Sequence, residues 1–398
     1  MKEKIKVGIV GLGQRGYGLL TTILTIIAQD DIEIAALCDL YEDRIEAGVS
    51  YVKDNLGNVP FSSTDYMDLV NMKELDAILI IAAWDAHIPI ALAAMKSGKY
   101  VGTEVGGAYS IHDCWDLVNT SEQTGMPCMM LENCCYGRRE MMALNMAEQG
   151  VLGDIVYCSG GYCHDLREEV SGGIENRHYR FRNYLRRNCE NYPTHELGPI
   201  AKILKINHGN QFLTLNSVSS CSKGLHEFIV QKRGADSDLA KLQFAQGDVI
   251  TTTIKCAGGQ TIVMTLDTTL PRGYSRGFTV RGTRGMYMED NDSVFIDGMH
   301  NEFDLDWKPQ WGNASQFEEK YDHPMWVEYK NHVVGGHDGM DWLVFRDFFD
   351  SVKAGTQTPI DVYDTAAWMS ISALSENSIA MSGAPVAIPD FTRGEWLK

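Results

Sequence analysis

The sequence predicts an α/β chain in two parts. An N-terminal doubly wound parallel sheet comes first, and an α+β domain with an open, mainly antiparallel sheet follows. Three observations carry this. Near the N-terminus a β-branched apolar run, "KIKVGIV", enters a glycine-rich turn, "GLGQRG", and then a helical pattern. Strand-like and helical runs alternate from there to about residue 133, the pattern of a parallel sheet with crossover helices. Beyond about residue 151, runs rich in Val, Ile, Thr and Tyr follow one another without helices between them, which signals antiparallel pairing. At 398 residues the chain exceeds one ordinary core. The expected domains are 1–135 and 136–398, with helix 361–382 packing back on the first.

The first turn places Gly11, Gly13 and Gly16 in G-x-G-x-x-G order between a strand and a helix. Gly11 permits the tight turn, Gly13 lets backbone approach a pyrophosphate, and Gly16 lets the helix pack close. Gln14 and Arg15 lie within this turn, where free N–H groups at a helix start face phosphates. The second strand, "IEIAALCDL", ends on Asp39, 23 residues after Gly16, where an acid accepts hydrogen bonds from the adenosine ribose. No arginine follows immediately, so NAD is expected over NADP. This is a Rossmann-type unit. It continues with a buried strand at 77–82 and a helix starting near Asp85–His87, which puts Pro89 in the first turn. A strand at 100–104, another helix and the strand "PCMMLEN" complete it. Ligands in such folds sit at the carboxyl ends of the strands. Those ends carry Trp84, His87, Glu104 and Asn133 for the cofactor, and Tyr136 for chemistry.

In the second part "DIVYCSGGYCH", "FLTLNSVSS", "DVITTTIKC", "QTIVMTLDTT", "RGFTVRGTRGMYMED" and "DSVFIDG" read as strands, with "GTRG" as a hairpin turn. Segment 165–192 reads as a long functional loop. "PTHELGPIAKILKI", "GMDWLVFRDFFDSVKAG" and "DVYDTAAWMSISALSENSIAMSG" read as helices, and "APVAIPDF" as an extended tail. The formal net charge of −18 disfavours nucleic acid and anionic membrane as partners. No apolar run is long enough to span a bilayer, and the first residues show no leader pattern. The ten cysteines form no C-x-x-C and are expected to be reduced thiols of a cytoplasmic protein. Cys134, Cys135, Cys163 and His164 match no zinc spacing, so no metal is expected.

This order of parts, with G-x-G-x-x-G near the N-terminus, resembles the glucose–fructose oxidoreductase/inositol dehydrogenase superfamily over nearly the whole chain. Two departures stand out. That superfamily's dehydrogenases usually carry Glu-Lys-Pro at the strand end where this chain has Glu104-Val105-Gly106. Their later Asp-x-x-x-His helix motif is replaced by "NYPTHELGP". Together with "MLENCCYGRREMMALNM", "GYCHDLR", "TTTIKC", "LPRGYSRGFTVRGTRG", "GGHDGMD" and "PDFTRGEW", this segment is similar to the NAD-dependent glycosidases of glycoside hydrolase family 109. The founding activity there is α-N-acetylgalactosaminidase.

The resemblance implies a redox route to glycoside hydrolysis. Oxidation at sugar C3 by bound NAD acidifies the C2 proton, elimination expels the C1 substituent, water adds, and C3 is reduced again. Such a reaction needs bases near C3 and C2 and donors for an enolate, not two opposed carboxylates. Matched motif by motif, Tyr136, His195 and Tyr274 are the expected catalytic groups. His195 stands at a helix start and suits proton shuttling near neutral pH. Tyr274 is expected on a strand, polarising the C3 oxygen. Arg180 and Tyr192 join His195, Tyr274 and Glu104 as the expected substrate-binding groups. His164, Asp165 and Arg167 either line the cleft or bridge the loop. A sugar or inositol dehydrogenase using His195 as base is the alternative, and a non-enzymatic sugar–nucleotide sensor is a third reading. An exposed sheet face favours a homo-oligomer, a dimer or tetramer.

Overall fold

The alternating apolar runs become two separate sheets in the computed structural model, which describes residues 4–301, 303 and 306–398. Residues 1–3, the start of the stretch read as lacking a leader, lie outside the described residues. Strands β1 (Ile5–Val10), β2 (Ile32–Cys38), β3 (Phe61–Ser63), β4 (Ala77–Ile80), β5 (Tyr100–Thr103) and β6 (Cys128–Met130) form the first sheet. Its order is β3-β2-β1-β4-β5-β6, and every pairing is parallel. All four residues of β4 are buried, as expected of a strand covered on both faces. The order reverses between β1 and β4, so the crevice at their carboxyl ends is the topological switch point.

One element of this unit departs from expectation. The helix after β4 spans Trp84–Lys96, so Pro89 lies inside it, in the second turn and not the first. Its ring removes the donor that the carbonyl of Asp85 would otherwise accept.

The chain divides into two compact units, Met1–Tyr136 with His332–Ala366 and Gly137–Asn331 with Ala367–Lys398. The late segment of the first unit is anchored by the helix Met340–Ala354, which packs on β1 and on the turn Asn133–Tyr136. Its Phe345, Phe348 and Phe349 are fully buried, and Phe348 reaches Gly102 on β5, where no side chain intervenes.

In the second unit the strands are β7 (Ile155–Cys163), β8 (Phe212–Ser219), β9 (Val249–Cys256), β10 (Thr261–Asp267), β11 (Thr279–Gly282), β12 (Gly285–Met288), β13 (Ser293–Ile296) and β14 (Val386–Ala387). Their order is β13-β12-β11-β7-β10-β9-β8-β14. The sheet is mainly antiparallel, but β7 and β10 pair parallel. A long helical connection separates β7 from β8, and β8, β9 and β10 then alternate in direction, so β10 returns alongside β7 in the same sense. β11 and β12 meet across Thr283–Arg284, the hairpin expected of "GTRG".

Segment 165–192 contains two short helices, Arg167–Ser171 and Arg180–Arg186, in place of a bare loop. The buried faces of Phe181 and Tyr184 hold the second one down. The helix Gly224–Arg233 was not anticipated, although Leu225 and Ile229, spaced i, i+4, are its buried stripe.

The last long helix, Val362–Ala380, is buried along most of its length. In its first turn Thr365 accepts the N–H of Met130 at 3.1 Å, within the first unit. Farther along, Ser378 accepts the N–H of Ser217 at 2.8 Å in the second unit. The tail closes the eight-stranded sheet as β14 on β8. No helix among the described residues is long and apolar enough to cross a membrane. None of the ten cysteines is joined in a disulfide.

Candidate active site

The glycine turn of the first unit is shaped for close approach by a ligand. Gly11 has φ +104°, and a Cβ there would meet the Ile81 carbonyl oxygen at 2.4 Å. A Cβ on Gly16 would meet the Gly11 carbonyl at 2.0 Å, so that contact admits only glycine. Gly13 is different. Its missing side chain would meet only the Arg44 guanidinium, at 3.4 Å, which leaves the backbone open where a pyrophosphate approaches. The helix then begins at Gln14 with no side chain capping its N–H groups.

Asp39 closes this cradle. It is buried, and its two oxygens accept the N–H groups of Leu12 at 2.7 Å and Tyr41 at 3.0 Å. Arg44 stands 3.8 Å from the same carboxylate and lies over the Tyr41 ring, 4.8 Å from its centroid. Sequence reading looked for an arginine directly after Asp39 and missed this one. It sits five positions on, in the first turn of the helix Glu42–Leu56.

Trp84 and His87 are taken up inside the protein. His87 is buried, its Nε2 lies 2.9 Å from the Ala82 carbonyl oxygen, and burial lowers its pKa. Trp84 packs where a Cβ on Gly106 would stand, at 2.5 Å. Both therefore help to shape the turn after β4.

The carboxylate that had no basic neighbour in sequence has one in space. Arg15 donates from Nε to Glu104 at 2.8 Å. The same guanidinium grips Asp341 with both terminal nitrogens, at 2.9 and 2.8 Å. Asp341 also receives Asn133 Nδ2 at 2.8 Å and contacts His337 Nδ1 at 2.9 Å. Burial opposes its ionisation, but the hydrogen bonds from His337 and Arg15 hold its carboxyl well below the usual carboxylate range. Neither Asp341 nor His337 was singled out from the sequence, although both stand in "GGHDGMD".

Tyr136 ends the first unit in a buried turn, and its hydroxyl donates to Asp347 at 2.8 Å. Burial, reinforced by the Asp347 charge, pushes the phenol pKa well up. Its hydroxyl proton is thus directed at Asp347.

The second unit gathers an aromatic and basic cluster. Tyr192 and His195 flank the start of the helix Thr194–Ile203, with the Tyr192 hydroxyl 3.4 Å from His195 Nε2. Tyr162 on β7 stacks against Tyr192 at 4.2 Å between centroids and meets His195 at 5.6 Å. Its hydroxyl lies 3.0 Å from His164 Nδ1. Burial and then the Arg180 charge hold His164 below its usual pKa, so as a neutral ring it can accept from that phenol. Arg180 is buried, sits 4.9 Å over the Tyr192 ring and is ion-paired to Glu169 at 3.0 Å.

Tyr274 meets His164 edge-on at 5.1 Å and Tyr162 at 6.4 Å. It is not on a strand. It stands in the loop between β10 and β11, beside the isolated bridge Cys163–Ser275, and is 55% exposed. The "LPRGY" run interrupts the strand there, because proline has no N–H to give a ladder and glycine weakens a strand. Of "HDLR", only His164 joins the cluster; Asp165 and Arg167 pair with each other at 2.8 and 2.7 Å. Tyr162 was not singled out, yet Gly160, Tyr162 and His164 share one face by strand alternation.

Comparison with known proteins agrees with both halves of this picture. Residues 5–131 match the model of the oxidoreductase family with an NAD-binding Rossmann fold, and residues 136–398 match that of the glycosyl hydrolase 109 C-terminal domain. An alpha-N-acetylgalactosaminidase of Tannerella forsythia is 39% identical, over 99% of this chain and 87% of that protein. A glycosyl hydrolase family 109 protein of Parabacteroides distasonis is also 39% identical, over 99% and 88%. The chain belongs to glycosyl hydrolase family 109. It is a glycosidase, and its cofactor is NAD. The fold of this family 109 enzyme is also that of inositol dehydrogenases. Myo-inositol 2-dehydrogenase from Lactobacillus plantarum superposes with a TM-score of 0.68 at 15% identity, covering 97% of this chain and all of that one. Scyllo-inositol dehydrogenase from Lactobacillus casei, with NAD(H) and scyllo-inositol bound, gives 0.66 at 14%, covering 97% and 99%.

Two residues before Tyr192, this family 109 chain buries an acid. Glu190 is fully enclosed, its N–H bonded to Ser375 Oγ at 2.9 Å and its carbonyl to Ser372 Oγ at 2.6 Å. Burial raises its carboxyl to about 8, against the favourable dipole of the Tyr192 N–H. The folded protein thus keeps a proton that the unfolded chain has already released, and stability falls as pH rises from the ordinary carboxylate range through about 8. Glu190→Gln should raise the melting temperature at pH 9, by an amount worth on the order of a few kcal/mol, and change little near pH 4. A mutant curve parallel to wild type from pH 4 to 9 would show that Glu190 does not titrate this way.

Proposed function

We propose that this enzyme hydrolyses α-N-acetylgalactosaminides by transient oxidation at C3, elimination across C1–C2, addition of water and reduction at C3. The carrying observation is the composition of the cluster in the second unit. Tyr162, His164, Tyr192, His195 and Tyr274 are proton carriers or hydroxyl donors, and an acid at its edge, Glu169, is paired with Arg180. Ordinary glycosidases work with two carboxylates flanking the bond. A cluster of this kind instead suits proton removal beside a carbonyl and stabilisation of an enolate.

NAD, when bound, supplies the oxidation and the later reduction of the sugar carbon. The backbone at Gly11–Gly16 would hold its pyrophosphate and Asp39 its ribose, and Glu104 would stand at the nicotinamide ribose or the sugar. His195 takes the proton, with Tyr192 supporting the ring that receives it. Tyr274 donates to the developing oxyanion. Arg180 binds sugar hydroxyls or the acetamido carbonyl. We assign Tyr136 to holding the turn Asn133–Tyr136 against the helix Met340–Ala354 through Asp347.

An aryl α-N-acetylgalactosaminide tests this reading. Phenol should be released with no net gain in nicotinamide absorbance, and enzyme stripped of cofactor should recover with NAD better than with NADP. Accumulation of NADH in step with sugar consumption, without phenol, would identify a simple dehydrogenase.

A further inference from the structure

Arg15 was expected at the pyrophosphate, but its side chain is committed elsewhere. One edge of the guanidinium holds Glu104 and the other two nitrogens form a fork on Asp341. A bidentate arginine–carboxylate pair fixes direction as well as distance. Asp341 is itself fixed from two further sides, by Asn133 and His337. Glu104 therefore has one oxygen set by Arg15 and the other by the Val105 N–H, at 3.1 Å.

We propose that Asp341 is a positioning residue for Glu104. By filling the fork of Arg15 it fixes Nε on one carboxylate oxygen, and so sets the orientation Glu104 presents to sugar or nicotinamide ribose. It also keeps the guanidinium from acting as a phosphate clamp, which leaves the pyrophosphate to the backbone of the glycine turn. Residues more than three hundred positions apart in sequence thus complete one carboxylate's geometry. Arginine stays protonated throughout, so its part is to hold charge and direction and not to transfer a proton.

The inference rests on the reading of Glu104 as a ligand-facing group, and the test separates the two. Glu104→Gln, Asp341→Asn and the double variant are compared in hydrolysis of an aryl α-N-acetylgalactosaminide. NAD affinity is measured on cofactor-free protein by calorimetry, and folding by thermal melting. Asp341→Asn leaves Arg15 and Glu104 as a balanced pair, so folding should hold. Its kcat should fall on the order of ten- to a hundredfold, the usual effect of displacing a catalytic group slightly. NAD affinity should stay within about threefold, because the pyrophosphate grip is backbone.

The double variant should be no slower than Glu104→Gln alone, since a residue that acts only through Glu104 has nothing left to act on. Losses that multiply in the double variant overturn the inference, as does an NAD affinity that falls in step with kcat. A slow Glu104→Gln beside a normal Asp341→Asn overturns the inference alone. A normal Glu104→Gln overturns it together with the reading of Glu104. Should Asp341→Asn fail to fold, Asp341→Glu keeps the charge and shifts the carboxylate by one methylene. Its kcat should then drop at unchanged NAD affinity, and wild-type kcat would overturn the inference.

Discussion

Replacing His195 with alanine is expected to lower kcat for glycoside hydrolysis by on the order of a hundred- to ten-thousandfold, the range associated with losing a positioned general base. The expectation comes from where the ring sits. It occupies the first turn of a helix that packs on β7, it contacts the Tyr192 hydroxyl, and Tyr162 meets it edge-on. These contacts leave the imidazole little freedom, which matters because proton transfer requires it at hydrogen-bond distance from the reacting carbon or hydroxyl. NAD affinity should be unchanged, since the cofactor cradle lies in the first unit. Tyr192→Phe removes only the supporting hydroxyl and should cost far less, on the order of tenfold, an amount matching one net hydrogen bond. Stopped-turnover assays with NAD titration would distinguish these effects. If His195→Ala retains activity within threefold of wild type, another group in the cluster takes the proton.

The sequence carried the architecture because the relevant signals are local. Glycine spacing, an acid at the end of the second strand and apolar alternation each depend on residues within one element. The acid and the glycines therefore stand where the pattern required, and Asp39 also accepts the N–H of Leu12 within the turn. What escaped was set by tertiary packing. Arg15 reads as a phosphate contact until Asp341, far along the chain, is seen to fill its fork. The bond from Tyr136 to Asp347, 211 positions away, leaves no mark in either segment. Tyr274 reads as a strand residue because "PRGYSRGFTV" runs into a β-branched stretch, yet proline and two glycines displace the start of β11 to Thr279. Pairings between distant segments leave no periodic trace in either partner, so residue types can be read where residue partners cannot.

Deuterium at C2 of the released sugar is the expected signature of turnover in D₂O. A hydrogen next to a ketone is far more acidic than one beside an alcohol, because the resulting carbanion is spread onto oxygen. Once C3 is a ketone, a base of ordinary strength such as His195 can remove the C2 proton, and the C1 substituent leaves from the enolate. Water then adds at C1, and C2 takes a proton back from the base. A base reached by solvent exchanges its proton before returning it, so the label enters at C2 and nowhere else on carbon. Direct displacement at C1 never breaks the C2–H bond and gives no label there. The same logic predicts cleavage of a thioglycoside, because departure driven by an enolate depends less on protonating the leaving atom. His195→Ala should lower labelling and hydrolysis together if His195 is that base. Product that keeps its C2 proton through full turnover in D₂O would rule out elimination, unless the base hands back the proton it took. Turning over C2-deuterated and unlabelled substrate together in ordinary water distinguishes that case, because a shielded deuteron stays with its own molecule while an exchanging one is lost to solvent.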